Sequence, residues 1–496
     1  MTVPRRTSLA ERQRWFALIL LCLGELMIVL DTTIVNVALP SIRADLGFSD
    51  TSLVWVVNAY MLTFGGFLML GGRLGDLYGQ RRLFLAGIAV FTLASLACGV
   101  AGSQSVLIIA RAVQGVGGAV VSAVALSLIM TMFTRPAERA RAMGVYGFVC
   151  AGGGSIGVLL GGVLTSVLSW HWIFLVNVPV GVALYLATRR ILPGDAGAAK
   201  GQSLDVGGAV TLTGALMLAV YAIVNGNQVG WTSLQTAVQL GAAAVLLALF
   251  FWLQARVVVP LVPLVPLALL RLRSLAIANL IAVLWAAALF AWFFLSALSM
   301  QGVLGYTPLQ VGLAFLPSNL IMAGLSLGVS AWLVLRFGIR STLAAGLLCA
   351  AAGLVLFALA PEQGSFALHV LPGMLLLGIG GGIAFNPLLL AAMGDVQADD
   401  SGLASGMVNT AFMMGGALGL AVLASIADAR SAHWLATGSA MPTALHAGYQ
   451  WAFAAAAVAA LVAAGLGRFA LRGTPSAQPA AAEEISHPPS QRRDLL

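Results

Sequence analysis

Apolar runs of about twenty residues, each long enough to cross a bilayer's hydrocarbon core as a helix, follow one another along nearly the whole chain, separated by short polar breaks. Read in order, they predict fourteen spans: 15–39, 52–72, 83–102, 105–132, 139–166, 171–191, 205–225, 237–255, 274–301, 309–335, 341–360, 366–393, 402–427 and 448–470. The longest connections on one side are 192–204 and 256–273. The second carries Pro260, Pro263 and Pro266, spaced too closely for a continuing helix, and is expected to lie along the membrane interface. After Arg472 the chain turns to Pro, Ser, Ala and Glu, which cannot build a core, so 471–496 is expected to be a disordered tail. No soluble segment is large enough to hold a site of its own. Any chemistry has to happen inside the bundle.

Composition agrees with the pattern. Of 496 residues 60% are hydrophobic and 8% charged, against about 25% charged in a soluble domain. The 57 glycines suit close helix packing rather than isolated anchors. If the amino terminus lies inside the cell, all of the 25 basic residues except Arg43, Arg111 and Arg430 fall in the tails, the cytoplasmic connections or the cytoplasmic ends of the spans. An odd miscount of spans would scramble that separation. The same rule accounts for the net charge of +8 without nucleic acid. Cys22, Cys98, Cys150 and Cys349 lie in apolar runs with neither pairing nor metal spacing, and read as small packing residues. His171, His433 and His446 show no ligand constellation, so no metal is expected. The first apolar run is too long for a signal peptide, and residues 1–14, with four arginines, read as a cytoplasmic tail.

The spans sort into a six-helix half at 15–191, a linker with two additional transmembrane helices at 192–273, and a second six-helix half at 274–470. The loop after span 2, "GGRLGDLYGQRR" (Gly71–Arg82), has a worn echo after span 10, "WLVLRFGIR" (Trp332–Arg340); both keep a Tyr/Phe-Gly-x-Arg element. Two related halves are what a carrier rocking about a central site requires.

These residues carry a family resemblance. "GGRLGDLYGQRR" resembles the loop signature of the major facilitator superfamily. "LDTTIVNVALP" (Leu30–Pro40) and "WHWIFLVNVPVG" (Trp170–Gly181) resemble its fourteen-span drug/proton antiporter branch, the EmrB/QacA-like exporters. "ARAVQGVGG" (Ala110–Gly118) is similar to that branch's span-4 motif and "GLASGMVNTA" (Gly402–Ala411) to its span-13 pattern. The resemblance implies an all-α polytopic membrane protein with the major facilitator fold, two six-helix halves plus two extra central helices. It also implies a gating loop of Gly72, Arg73, Gly75, Asp76, Gly79, Arg81 and Arg82, with Asp76 docking on the positive start of span 13 at Gly402. Span 5 carries Gly153, Gly157 and Gly161 at four-residue spacing, a stripe for close helix packing. Gly154 and Val158 stand where the family usually has prolines, a departure that weakens this span as evidence for antiport.

Glu25, Asp31 and Arg111 are the ionisable side chains well inside the spans. An acid at mid-membrane costs roughly 2.5–3.5 kcal/mol on insertion scales and marks a functional position. Asp31 lies about 13 Å below Pro40 and Arg111 about 9 Å below Ser105, at similar depth. A cationic neighbour favours the ionised carboxylate and desolvation the neutral one, a balance that water access can tip. The alternative is a static pair tying span 1 to span 4. Glu25 lies about 9 Å deeper than Asp31 on another face, with no partner evident in sequence. Together with Tyr60, Gln114, Trp285, Trp292, Asn319 and Asn386 it is a candidate lining for a substrate cavity. The aromatics of span 9 (Trp285, Phe290, Trp292, Phe293, Phe294) cannot share one face, so some are expected to meet lipid. The expectation is a non-enzymatic, proton-coupled exporter of small amphipathic compounds, cationic ones among them, by alternating access. It would work as a monomer in a bacterial inner membrane, with both termini cytoplasmic, no cofactor beyond the coupling protons and no nucleic acid. A proton-coupled importer or a narrow-range metabolite exporter on the same fold is the alternative. A membrane sensor without transport is disfavoured by the paired loops and buried charges.

Overall fold

The computed structural model describes residues 6–49, 51–192, 203–256, 261–262, 269, 271–396 and 401–471. Within them the chain is almost wholly helical. The first group holds α1 (Arg6–Leu46), α2 (Val54–Tyr78), α3 (Gln80–Gly99), α4 (Gln104–Met132), α5 (Pro136–Val167), the one-turn α6 (Trp172–Leu175) and α7 (Asn177–Ile191). A hairpin of α8 (Val206–Val229) and α9 (Leu234–Arg256) follows. The last group holds α10 (Arg273–Gly302), α11 (Pro308–Gly324), α12 (Ser330–Leu359), α13 (Leu371–Met393), α14 (Ser401–Ala436) and α15 (Met441–Gly465). Two-residue strands, Ser203–Leu204 and Leu261–Val262, pair in parallel beside the hairpin. The rest of the two long connections, Pro260, Pro263 and Pro266 included, and the tail beyond 471 lie outside the described residues.

Among the described residues, twelve helical runs are long and apolar enough to cross a membrane. One of them, Pro308–Leu359, has 52 residues. At 1.5 Å per residue it would be about 78 Å long if straight, more than twice a hydrocarbon core of about 30 Å. It is not straight: Leu325–Val329 forms a π-helical turn, and Gly338 leaves helical geometry at φ 80°, ψ 163°. Gly79, between α2 and α3, adopts a similar bend at φ 99°, ψ 125°. Each is the glycine of a Tyr/Phe-Gly-x-Arg element, and positive φ is a conformation open to glycine with little strain. The echo between the two loops is therefore one of backbone shape as well as letters.

Helix ends run past several span limits expected from hydropathy. α1 continues through Pro40 to Leu46, α14 reaches Ala436, and α15 begins at Met441. A proline removes a single donor from the helix, and the turn beyond it is held by burial of Ile42 and by the Trp170 indole donating to Asp45 Oδ2 at 2.9 Å.

α5 is wedged between α1 and α11. A Cβ at Gly157 would stand 2.9 Å from the Leu30 carbonyl, and one at Gly161 2.6 Å from the Ile34 carbonyl. At Gly153 it would meet the Val29 side chain at 2.9 Å. The next glycine along, Gly162, faces Pro308 and Gly312 of α11 instead. Further bonds join the first and last groups: Asn58 donates to the Ala417 carbonyl at 2.9 Å, and Gln301 to the Val37 carbonyl at 3.0 Å. The α8–α9 hairpin leans on α2 and α14, where Asn227 donates to the Ser425 carbonyl (2.8 Å) and to Asp428 (3.1 Å).

The aromatics of α10 correct the expectation of lipid contact. Trp285, Trp292, Phe293 and Phe294 are all buried, and Phe290 is half-buried against Phe412. α10 packs on α1, α11, α13, α14 and α15, which cover these rings, while Leu280 near its start is exposed. Exposed apolar bulk lies elsewhere: Leu234, Leu335, Leu359 and Phe469 are among the most exposed large apolar side chains. A surface of that kind is stable in hydrocarbon and not in water.

Candidate functional site: a buried charge network

The polar letters of "DTTIVN" have different fates on α1. Thr32 donates to the Ile28 carbonyl (2.9 Å), Thr33 to Val29 (3.1 Å), and Asn36 to Thr32 (3.4 Å). Such back-bonding satisfies a short polar side chain within its own helix. A carboxylate has no donor to offer and must find donors on other helices. Asp31, with no exposed surface, finds three. Arg111 Nη1 donates to Oδ2 at 2.5 Å; Gln114 Nε2 and Asn177 Nδ2 donate to Oδ1 at 2.7 and 3.1 Å.

The cation is as fully engaged. Arg111 Nε donates to the Val56 carbonyl at 2.9 Å, and Nη1 also reaches Gln114 Oε1 at 2.7 Å. Its guanidinium carbon stands 4.4 Å from the centre of the Tyr60 ring and 5.6 Å from that of Phe174. Gln114 donates onward to the Ser95 hydroxyl at 2.8 Å, and the Cys98 thiol lies 3.8 Å from its Oε1. Side chains of α1, α2, α3, α4, α6 and α7 thus meet around one ion pair buried from solvent. Breaking such a pair by removing one partner is expensive, because a charge is left without its counter-ion. A proton arriving at Asp31 would have the same electrostatic effect without any loss of atoms.

Glu25 is also buried, six residues earlier on α1. The structure supplies the partner that sequence did not: Ser122 donates to Oε1 at 3.1 Å, and Tyr146 of α5 lies within interaction range of the carboxyl. Its Oε2 has no hydrogen-bond partner among the described residues.

The expected cavity lining is divided. Tyr60 and Gln114 belong to the Asp31–Arg111 network, because α2 and α4 pack against each other on that side of α1. Trp285 and Trp292 sit within α10, where Trp292 packs on Phe293 and Phe315 with ring centres 4.4 and 5.6 Å away. Trp292 Nε1 and Asn319 Nδ2 are buried without a partner among the described residues. Asn386 donates to the Ser326 carbonyl at 3.0 Å, which ties α13 to the π-helical turn.

The expected gating loop is mostly helix. Gly72, Arg73, Gly75 and Asp76 lie in the last turns of α2, Arg81 and Arg82 open α3, and Gly79 alone is non-helical. Gly75 lets α2 approach Val124 of α4, and Arg81 donates to the Arg189 carbonyl at 2.5 Å. The side chain of Asp76 and the burial of Gly402, the residue expected to receive it, fall outside what is described.

Sequence reasoning missed Asn177 and Ser95. Asn177 stands inside the quoted "WHWIFLVNVPVG" motif, and a polar residue at the start of an apolar helix was its available signal. Ser95 had none, since a lone serine in a span ordinarily bonds its own helix, as Ser95 also does with the Phe91 carbonyl at 2.7 Å.

The sequence profile of the Major Facilitator Superfamily matches residues 21–420. The chain is 40% identical over 437 residues to the puromycin resistance protein pur8 of Streptomyces alboniger, covering 88% of this chain and 86% of that protein. It is 41% identical over 413 residues to the cephamycin export protein CmcT of Amycolatopsis lactamdurans, covering 83% and 84%. With the lincomycin resistance protein of Streptomyces lincolnensis it shares 35% over 423 residues, covering 84% and 85%.

Proposed function

This chain belongs to the major facilitator superfamily, and on that premise we propose that it exports small amphipathic antibiotic-like compounds across a bacterial membrane in exchange for protons. Membership makes it a multi-pass membrane carrier rather than an enzyme. Relatives named for puromycin, cephamycin and lincomycin support the export of drug-like compounds. Because each is named for a single compound, a narrow-range exporter is the second reading.

The observation that carries the coupling is the Asp31–Arg111 pair, wholly buried and bonded to groups on several helices. In the reading proposed here, a proton entering from outside neutralises Asp31, loosens its hold on Arg111 and on α4 and α7, and lets the two halves exchange between outward and inward states. Glu25, deeper and with a free carboxyl oxygen, is the group offered to a cationic substrate.

The finer architecture follows the EmrB/QacA-like plan. We count α5 as one crossing and the run broken at Gly338 as two, which makes fourteen: six-helix halves at 15–191 and 274–470, with α8 and α9 between them. Both termini are cytoplasmic, and Asp76 latches the cytoplasmic gate. The test is substrate accumulation in expressing cells before and after collapse of the proton gradient. Export requires intracellular substrate to rise on collapse; a fall identifies an importer, and no change removes protons from the mechanism.

A further inference from the structure

Asp31 and Glu25 are separated by about 9 Å along α1, too far for direct proton exchange across a hydrogen bond of about 2.7 Å. The side of α4 that faces them presents Arg111, Gln114, Gly118 and Ser122 on one stripe, three and four residues apart. The upper end of the stripe binds Asp31 and the lower end binds Glu25. The middle position is a glycine, and the Tyr60 phenol comes in over it. A Cβ at Gly118 would stand 3.0 Å from the phenol oxygen. Gly118 is about 6 Å along the axis from Gln114 and about 6 Å from Ser122.

Tyr60 is 1% exposed, yet its hydroxyl has no hydrogen bond among the described residues. Buried polar groups are nearly always paired, because an unmade bond is expensive, so each exception needs a reason. The ring's contact with Arg111 does not supply one, since a phenylalanine would cover the guanidinium equally well. The hydroxyl of Thr32, next to Asp31 on α1, lies within interaction range of the phenol but donates to its own helix at the Ile28 carbonyl.

We propose that the Tyr60 hydroxyl relays protons between Asp31 and Glu25. Protonated Asp31 releases its proton toward the phenol oxygen while the phenol's own proton passes on to the Glu25 carboxylate. Each step is an O–H bond made as another breaks, through a bridging water where the gap requires it. Tyr60 ends neutral, Asp31 is again an anion paired with Arg111, and one proton has moved from the first acid to the second. The relay rests on the proton-coupled reading above.

The test uses the full-length protein in liposomes, with whichever of puromycin, lincomycin and ethidium the wild type transports. Tyr60→Phe keeps the ring over Arg111 and removes the hydroxyl. Gradient-driven transport should fall about a hundredfold, the lower range of what a positioned proton-transfer group contributes. Binding affinity and substrate counterflow without net proton movement should stay as in wild type. Gly118→Ala, which crowds the phenol, should show the same split. Gradient-driven transport by Tyr60→Phe at the wild-type rate overturns the relay, as does a parallel loss of binding and counterflow, which marks a structural role. Wild-type transport that ignores the gradient, or transport of none of the three compounds, overturns the parent reading instead.

Discussion

Asp31→Asn is nearly isosteric, but the network around it does not accept an amide. The carboxylate receives donors on both oxygens: Arg111 on Oδ2, Gln114 and Asn177 on Oδ1. In one orientation the new NH2 group faces Arg111 Nη1; in the other it faces two side-chain amide donors. Either way donor meets donor. The change removes a bond to a charged group worth about 1.5–3 kcal/mol and leaves a buried guanidinium without its counter-ion, for a total of about 3–5 kcal/mol. Arg111 keeps the Val56 and Gln114 oxygens and the Tyr60 face, which places the loss toward the lower end. Arg111→Met strands the acid instead and should destabilise by a similar amount. The double variant carries neither charge, so its loss should be smaller than the sum of the singles by about 2–3 kcal/mol of coupling. The assay is the midpoint of heat-induced loss of the monodisperse peak in size-exclusion chromatography, beside gradient-driven efflux. All three variants should lose efflux, and the double should melt clearly above the midpoint that the two single losses added together would give. Midpoint losses that simply add in the double variant would refute the argument, because they would mean that the two charges do not stabilise each other.

Glu25→Gln should weaken export of a cationic compound about tenfold more than that of a neutral one of matched size, the equivalent of about 1.4 kcal/mol; resistance of cells to such a pair measures it, and equal losses count against substrate contact. Asn177→Leu removes one donor from Asp31 while sparing the ion pair, and should lower the melting midpoint through a loss of about 1–3 kcal/mol; a midpoint equal to wild type means the bond contributes nothing. Gly157→Leu drives a side chain into the Leu30 carbonyl and Thr33, and overpacking of this kind should destabilise by about 1–3 kcal/mol. Unchanged yield and melting of that variant would show that α1 and α5 do not approach as closely as described.

What the sequence by itself determined was the solvent and the expense of exceptions to it. A membrane helix satisfies its own backbone and needs an apolar run of fixed length, so the polytopic helical character is visible locally, one segment at a time. A charge in such a run is costly whatever its partner, so Glu25, Asp31 and Arg111 stood out, and the similar depth of Asp31 and Arg111 followed from helix rise alone. Bends at Gly79 and Gly338 were foreshadowed as well, by repeated letters whose middle member is the residue that tolerates positive φ.

Neighbour choice is a different matter. The donors on Asp31 come from 80, 83 and 146 residues away, and no periodicity along α1 encodes which face of α4 or α7 will lie against it. For that reason Gln114 and Tyr60 looked like cavity lining, Asn177 and Ser95 went unremarked, and Glu25 seemed to lack the partner it has in Ser122. The burial of Trp285, Trp292 and Phe294 on all sides of α10 was hidden for the same reason. A helix in a bilayer is equally content against lipid and against another helix, since both are apolar. Close packing of glycine against backbone, as at Gly157 and Gly161, and polar bonds between helices, as on Asp31, decide which of the two it meets.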